Sequence, residues 1–164
     1  SYHLSFIFGK IISIDKDEYG QGETIGFSLN LPYKILLGNH KFSTSMELHF
    51  SNVSGLAMRN DANLNSINFI LNKTILDYKK SPVLNFGIGG GIINHSRWKM
   101  MSSFLTEINY FIPNKKFIMN INLRFHKIIN LTKEYELDFN EHSHNLYSIN
   151  FSLGKKLNLN KKII

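Results

Sequence analysis

The segment formed by residues 104–130 constrains the fold of this chain more than any other. It contains two alternating stretches, FLTEINYFI and FIMNINLRFHKIIN, joined by the turn signal PNKK. Every other residue from Met119 to Phe125 is apolar, and the residues between them are polar. A period of two residues predicts β-strands with one apolar and one polar face. The segment therefore predicts an antiparallel hairpin.

The polar face of this hairpin carries two asparagines, Asn120 and Asn122, beside Arg124 and His126. A polar face in contact with water would be richer in Lys, Glu and Thr, so this composition indicates an enclosed interior. Apolar residues directed towards lipid and polar residues directed inwards are typical of a transmembrane β-barrel.

The same alternation recurs along the rest of the chain. We expect Pro32 to end the second strand because it lacks a ladder donor, and we expect Trp98 to lie in a loop. The connections after the odd-numbered strands are longer and more acidic. The turns after the even-numbered strands are shorter and contain pairs of lysines. This pattern predicts an all-β, eight-stranded antiparallel up-and-down transmembrane barrel. The predicted strands are residues 2–14, 24–31, 42–51, 65–72, 84–92, 104–112, 117–130 and 147–154.

Length and composition narrow the classes of protein to which the chain can belong. A length of 164 residues corresponds to one domain. The chain contains no apolar run of about 18 residues, the length that would indicate a membrane helix. Barrel strands of about nine to eleven alternating residues are not detected by hydropathy searches. The absence of cysteine excludes disulfides and thiolate chemistry. The net charge of +7 comes from lysine pairs at turns, not from one basic patch, so we expect no nucleic-acid partner.

Residues 1–157 are predicted to form the barrel, and residues 158–164 a short basic periplasmic tail. The start SYHLSFIFGK lacks the features of a signal peptide, so we presume that one has been removed. When the strand number is even, both chain ends lie on the periplasmic side. The predicted location is the bacterial outer membrane, in contact with its lipid and with lipopolysaccharide.

Three stretches, VLNFGIGGGI, FLTEINYFI and LYSINFSLGKKL, carry a resemblance to a known group. In them the chain resembles the small eight-stranded outer-membrane barrels of Gram-negative bacteria, which include the transmembrane domain of outer-membrane protein A and its OmpX-like relatives. The resemblance covers nearly all of residues 2–157 and implies a porin-like architecture, but no particular activity. Many such chains end on an aromatic residue, whereas this one continues as KKLNLNKKII.

Inward charges in so narrow a barrel must be paired, because there is room for side chains and little more. The hairpin register places Glu107 opposite residues 122–124, which predicts a salt bridge from Glu107 to Arg124. We expect a polar core that fills the lumen; a gated pore or proton path is the alternative. The predicted lumen network comprises Glu47, His49, Glu107, Asn122, Arg124 and His126.

Some eight-stranded outer-membrane barrels deacylate lipid A with a Ser-His-Glu set, and the penultimate strand of that family carries His-x-Ser-Asn. This chain is weakly similar to them at His126, but Ile128 stands where the serine is expected and Asn145 where an acid is expected. Without a nucleophile there is no acyl-enzyme. We therefore predict a non-enzymatic outer-membrane protein without cofactors, a structural or accessory subunit of an envelope complex. The alternative is a lipid A-modifying barrel enzyme.

A second alternative is a soluble lipocalin-like calyx, which places apolar residues inside and polar residues outside. That group carries Gly-x-Trp near the N-terminus, and the single tryptophan of this chain, Trp98, is misplaced for it. The polar inward face also argues against a calyx.

The last long connection is rich in acids and histidines. It offers a candidate cation or partner site, but its spacing matches no established metal motif, so we predict no metal and a solvated loop. Alternation within it also predicts a protruding hairpin whose edge suits a protein partner. The residues concerned are Glu134, Glu136, Asp138, Glu141, His142 and His144.

Overall fold

The computed structural model describes residues 2–13, 19–55, 61–77, 83–95, 98–113, 117–130 and 144–157. Eight antiparallel strands follow one another in chain order, and β1 pairs with both β2 and β8, so the sheet closes into a barrel. The predicted fold class is confirmed. The strands are β1 Tyr2–Ser13, β2 Tyr19–Leu37, β3 His40–Gly55, β4 Ala62–Asp77, β5 Val83–His95, β6 Trp98–Pro113, β7 Ile118–Asn130 and β8 His144–Leu157.

The described residues contain no helix long and apolar enough to cross a membrane.

The two faces of the sheet have opposite chemistry. Successive side chains of a strand point alternately out of and into the barrel. On the outside, large apolar side chains are 36–67% exposed on every strand, and a water-soluble protein does not present so continuous an apolar belt. The soluble calyx is therefore excluded. Outward examples, one per strand, are Phe6, Phe27, Leu48, Phe69, Ile88, Ile108, Leu123 and Phe151; inward examples are Ser5, Ser28, Glu47, Asn68, Asn85, Glu107, Arg124 and Asn150.

Three local predictions were wrong. Strand β2 does not end at Pro32 but continues to Leu37, because a register shift between Leu31 and Lys34 takes the proline out of the ladder. Trp98 opens β6 and pairs with His95, so it does not lie in a loop. The connection after β5 spans only residues 96–97, although a long one was expected there.

The barrel has two distinct ends. We call the end at which β1 begins and β8 ends the turn end and the opposite one the loop end. Near the loop end, six buried apolar side chains from six strands form one cluster, the apolar layer, in which Val53 and Ile128 are each 1% exposed. This layer fills the lumen near the loop end. It consists of Ile11, Val53, Leu64, Ile93, Ile128 and Leu146.

Candidate functional site

The guanidinium of Arg124 lies at the centre of the lumen. Glu107 and Arg124 are direct partners in the β6–β7 register, and Arg124 Nε donates to Glu107 Oε2 over 2.8 Å. Arg124 Nη2 contacts the same oxygen and also lies 2.6 Å from Glu47 Oε2. The exposed fractions are 3% for Glu107 and Arg124 and 8% for Glu47. Arg124 thus joins carboxylates from β3 and β6 across the lumen.

Asparagines complete the hydrogen bonding of Glu107. Asn122 Nδ2 donates to Glu107 Oε2 over 2.7 Å and to Asn109 Oδ1 over 2.6 Å. Asn109 in turn donates to Glu107 Oε1 and to Asn72 Oδ1. The short side chain of asparagine has an NH₂ group that donates and a carbonyl oxygen that accepts, so it can hydrogen-bond to buried groups on several strands at once. This explains why the inward face is rich in asparagine.

A second arm of the network runs from hydroxyls through an imidazole to a carboxylate. Ser51 Oγ donates to Thr24 Oγ1 over 2.8 Å, Thr24 Oγ1 lies 3.4 Å from His49 Nδ1, and His49 Nε2 lies 2.8 Å from Glu47 Oε2. Because an ionised carboxylate only accepts, His49 donates from Nε2 to Glu47, and its unprotonated Nδ1 faces the hydroxyl of Thr24.

Arg124 Nη1 also lies 3.1 Å from His49 Nε2. A protonated Nε2 cannot accept a hydrogen bond from Arg124, so Glu47 and not Arg124 is the partner of His49 in this tautomer. The shorter, charge-assisted contact to Glu47 supports that assignment.

The structure brings five of the six predicted lumen residues into one network. The exception is His126, which faces the lumen two residues after Arg124; its buried Nδ1 has no hydrogen-bond partner among the described residues. Sequence reasoning missed Thr24, Ser51 and Asn109, since isolated inward Ser, Thr and Asn residues look like spacers. The β2–β3 register, which pairs Thr24 with Ser51, is the signal that identifies these two, and the β6–β7 register, which pairs Asn109 with Asn122, identifies Asn109.

The acidic connection between β7 and β8 lies almost entirely outside the described residues. Only His144 belongs to a described strand, β8. Within the described part of the chain, no group of three or more His, Cys, Asp or Glu side chains could hold a metal ion. A cation or partner site in this connection therefore stays a prediction.

Two small pockets lie in the lumen, one towards each end. The turn-end pocket has a volume of about 20 Å³ and is lined by Glu47, Glu107 and Arg124 among others. The loop-end pocket has a volume of about 30 Å³, and His49 and His126 line it together with part of the apolar layer. Volumes of this size suit one or two water molecules or a single small polar group.

Gly87 provides the space that Glu107 occupies. The two residues are partners in the β5–β6 register, and a Cβ at position 87 would lie 2.5 Å from Glu107 Cγ and 2.6 Å from Asn72 Oδ1. Since Arg124 holds Glu107 in place, Gly87→Ala is expected to lower the free energy of unfolding by about 1–3 kcal/mol. Urea unfolding in detergent micelles measures this loss.

Gly90→Ala is the matched control on the same strand. A Cβ at Gly90 meets only the carbonyl oxygen of Ser103, at 3.1 Å, and the substitution restricts the unfolded chain. We expect an effect smaller than that of Gly87→Ala, because only one contact has to lengthen, by a few tenths of an ångström. Equal losses in the two variants would show that the lumen does not require a glycine at position 87.

Comparison with known proteins agrees with this architecture. No protein-family model matches the sequence, and no curated protein shows significant similarity to it. Among solved structures, the chain is similar to the outer membrane enzyme PagL, with a TM-score of 0.70 and 10% identity over 92% of this chain and 97% of that chain. The fold is that of an outer-membrane β-barrel, as the sequence resemblance predicted.

Two larger proteins are similar to a lesser degree. A bacterial polysaccharide outer membrane secretin gives a TM-score of 0.35 and 13% identity over 84% of this chain and 46% of that chain. OmpT, an outer membrane protein of Vibrio cholerae, gives a TM-score of 0.30 and 8% identity over 82% of this chain and 42% of that chain.

The similarity to PagL corrects one prediction. We predicted that the chain is not an enzyme because Ile128 replaces the serine of one catalytic motif, but an outer membrane enzyme has this architecture over nearly the whole chain. The prediction tested a single strand. Catalytic sets are defined by the geometry of their groups, and other strands can supply them.

Proposed function

We propose that this chain is an integral outer-membrane barrel that modifies membrane lipid by hydrolysing an acyl ester. The observation that carries the proposal is the similarity to the outer membrane enzyme PagL over 92% of this chain. The class of substrate is taken from the lipid A deacylase barrels, which the chain resembles weakly at His126 but without the serine and the acid of their catalytic set. A continuous outward apolar belt supports the proposal, because it would keep the barrel among its lipid substrates.

The test is the release of fatty acid. The barrel, folded in detergent micelles, is incubated with lipopolysaccharide, and free fatty acids are measured by mass spectrometry. We expect release above that of a boiled, unfolded sample. A folded barrel that releases no fatty acid from lipopolysaccharide or from phospholipid contradicts the proposal.

A second candidate is an accessory subunit of an envelope complex that presents its loops to a partner. The favouring observation is the brace of Arg124, Glu47 and Glu107 across the middle of the lumen, which would make the barrel a rigid support for its loops. Mild extraction of native membranes tests this candidate, since a subunit would co-purify with a fixed partner. Recovery of the barrel alone after mild extraction contradicts it.

Neither candidate role requires a passage through the lumen. We expect the barrel to show no stepwise conductance in a planar lipid bilayer, because the Arg124 network and the apolar layer fill the interior in succession. A trimeric porin in the same bilayer is the positive control. Discrete conductance steps that depend on the barrel would show that the lumen opens.

A further inference from the structure

We propose that the turn end of β1, β2 and β8 carries a headgroup site for an anionic phospholipid of the phosphatidylglycerol class. The site consists of the hydroxyl groups of Tyr2 and Tyr33 and the ammonium group of Lys155. The acyl chains of the lipid lie along the outward face of the same three strands. This inference requires the membrane-spanning barrel but not the proposed hydrolysis of an ester.

Two tyrosines on neighbouring strands form the polar centre of the site. Tyr2 opens β1, Tyr33 lies near the end of β2, and their hydroxyl groups hydrogen-bond to each other. One hydroxyl donates in this bond, so the hydroxyl that accepts keeps its own proton for a third group. Tyr33 is 65% exposed, and tyrosines are enriched where a membrane meets water. A phosphate oxygen of a lipid headgroup is a matching acceptor.

A β-bulge positions Tyr33. The β2–β3 register shifts between Leu31 and Lys34, and Tyr33 lies inside the shift. Thr44 Oγ1 donates to the carbonyl oxygen of Tyr33 over 3.2 Å, which ties the bulge to β3. Because a bulge re-aims the side chains of its residues, it accounts for the contact of Tyr33 with Tyr2 on the neighbouring strand.

Lys155 supplies the positive charge of the site. In the β1–β8 register Lys155 is the partner of Leu4, one outward position from Tyr2. It therefore lies diagonally across from Tyr2 on the outward face. The single acid among the described residues of β1, β2 and β8 is Glu23, towards the loop end, so no carboxylate of these strands neutralises the lysine. Further exposed lysines at the turn end of β2 and β8 are Lys34 and Lys156.

Four phenylalanine rings on the same strands form an aromatic wall between the site and the middle of the barrel. The rings of Phe6 and Phe27 lie edge to face with centroids 5.6 Å apart, and those of Phe8 and Phe151 stack at 5.8 Å. Each of the four residues is 43–49% exposed on the outward face. Outward apolar rings at this depth contact the acyl chains of lipid.

The distance from the tyrosines to the far end of the aromatic wall matches one leaflet of a bilayer. Phe8 lies six residues beyond Tyr2 on β1, which is about 20 Å along a strand that rises about 3.3 Å per residue. At a strand tilt of about 35–45°, this is about 15 Å along the membrane normal, half of a hydrocarbon core of about 30 Å. A phospholipid whose phosphate lies at Tyr2 therefore places its chains beside the wall.

Native mass spectrometry of the full chain, folded in detergent micelles and titrated with phosphatidylglycerol, tests the site. We expect tighter binding than for phosphatidylcholine with the same acyl chains. Lys155→Gln is expected to lower the affinity for phosphatidylglycerol about fivefold, and Tyr2→Phe combined with Tyr33→Phe about tenfold. Lys127→Gln is the matched control without effect, since Lys127 is an exposed lysine towards the loop end. The mobility shift on boiling in SDS verifies that each variant is folded.

A phosphatidylglycerol with a photoreactive diazirine in its acyl chain locates the bound lipid. We expect labels on outward residues of the segments 4–8, 25–29 and 151–155, mapped by mass spectrometry and reduced by Lys155→Gln. Equal affinities for the two phospholipids, equal losses in Lys155→Gln and Lys127→Gln, or labels spread around the whole barrel overturn the site. Lipopolysaccharide that displaces phosphatidylglycerol from the wild type overturns the choice of lipid. The release of fatty acid from lipopolysaccharide tests the proposed function separately.

Discussion

Replacing Arg124 with methionine is expected to lower the free energy of unfolding of the barrel by about 3–5 kcal/mol. Arg124 is 3% exposed and is the cation shared by Glu47 and Glu107, which are 8% and 3% exposed. Methionine fills part of the same volume but leaves two carboxylates buried without their cation. Urea unfolding in detergent micelles, followed by the heat-dependent shift in SDS mobility, measures the loss.

A double variant separates the effect of the lost charge on stability from the effect of the lost packing. Glu107→Gln combined with Arg124→Met removes one of the two stranded carboxylates, so the double variant is expected to recover part of the loss. Lys127→Met, at an exposed position on the same strand, is the control for loss of a cation. Strictly additive losses at positions 107 and 124, or a loss no larger than that of Lys127→Met, would show that the buried pair does not stabilise the barrel.

The period-two alternation made the architecture predictable because it is a local signal that survives in every strand. Residues 119–125 alternate as strictly as any, and the observed outward face carries Leu123 while the inward face carries Arg124. The pairing of Glu107 with Arg124 followed for a related reason. The two residues belong to one hairpin, so a tight turn fixes their register without knowledge of the rest of the barrel.

The contact of Arg124 with Glu47, by contrast, could not be predicted from the sequence. Strands β3 and β7 are not neighbours, and which inward residues meet across the lumen depends on strand tilt and stagger, which no single strand encodes. His126 shows the consequence. Alternation placed it correctly on the inward side, but it lies one inward step nearer the loop end than Arg124 and beside the loop-end pocket.

The prediction about catalysis examined too little of the chain. It considered His126 and Ile128 along one strand, whereas the similarity to the outer membrane enzyme PagL lies in the architecture of the whole barrel. Thr24 and His49 are 25 residues apart in the chain and adjoin only through the sheet register. Their contact therefore becomes visible only once the strands are paired.

Leu123→Arg is expected to cost about 2–4 kcal/mol of unfolding free energy in a lipid bilayer, although Leu123 is 52% exposed. Leu123 lies near the middle of β7, on its outward face. A guanidinium there would sit at the depth where lipid offers neither water nor a hydrogen-bond partner. Urea unfolding of the barrel reconstituted in phosphatidylcholine vesicles measures the cost.

Phe117→Arg is the depth control. Phe117 is 48% exposed and directly precedes β7 at the turn end, where a charged side chain reaches the membrane interface and costs about 0–1 kcal/mol. On a surface exposed to water, both substitutions would fall within about 0.5 kcal/mol of the wild type. Small and equal effects at the two positions would therefore contradict a lipid-facing belt, whereas a loss confined to Leu123 requires a hydrocarbon layer around the middle of the barrel.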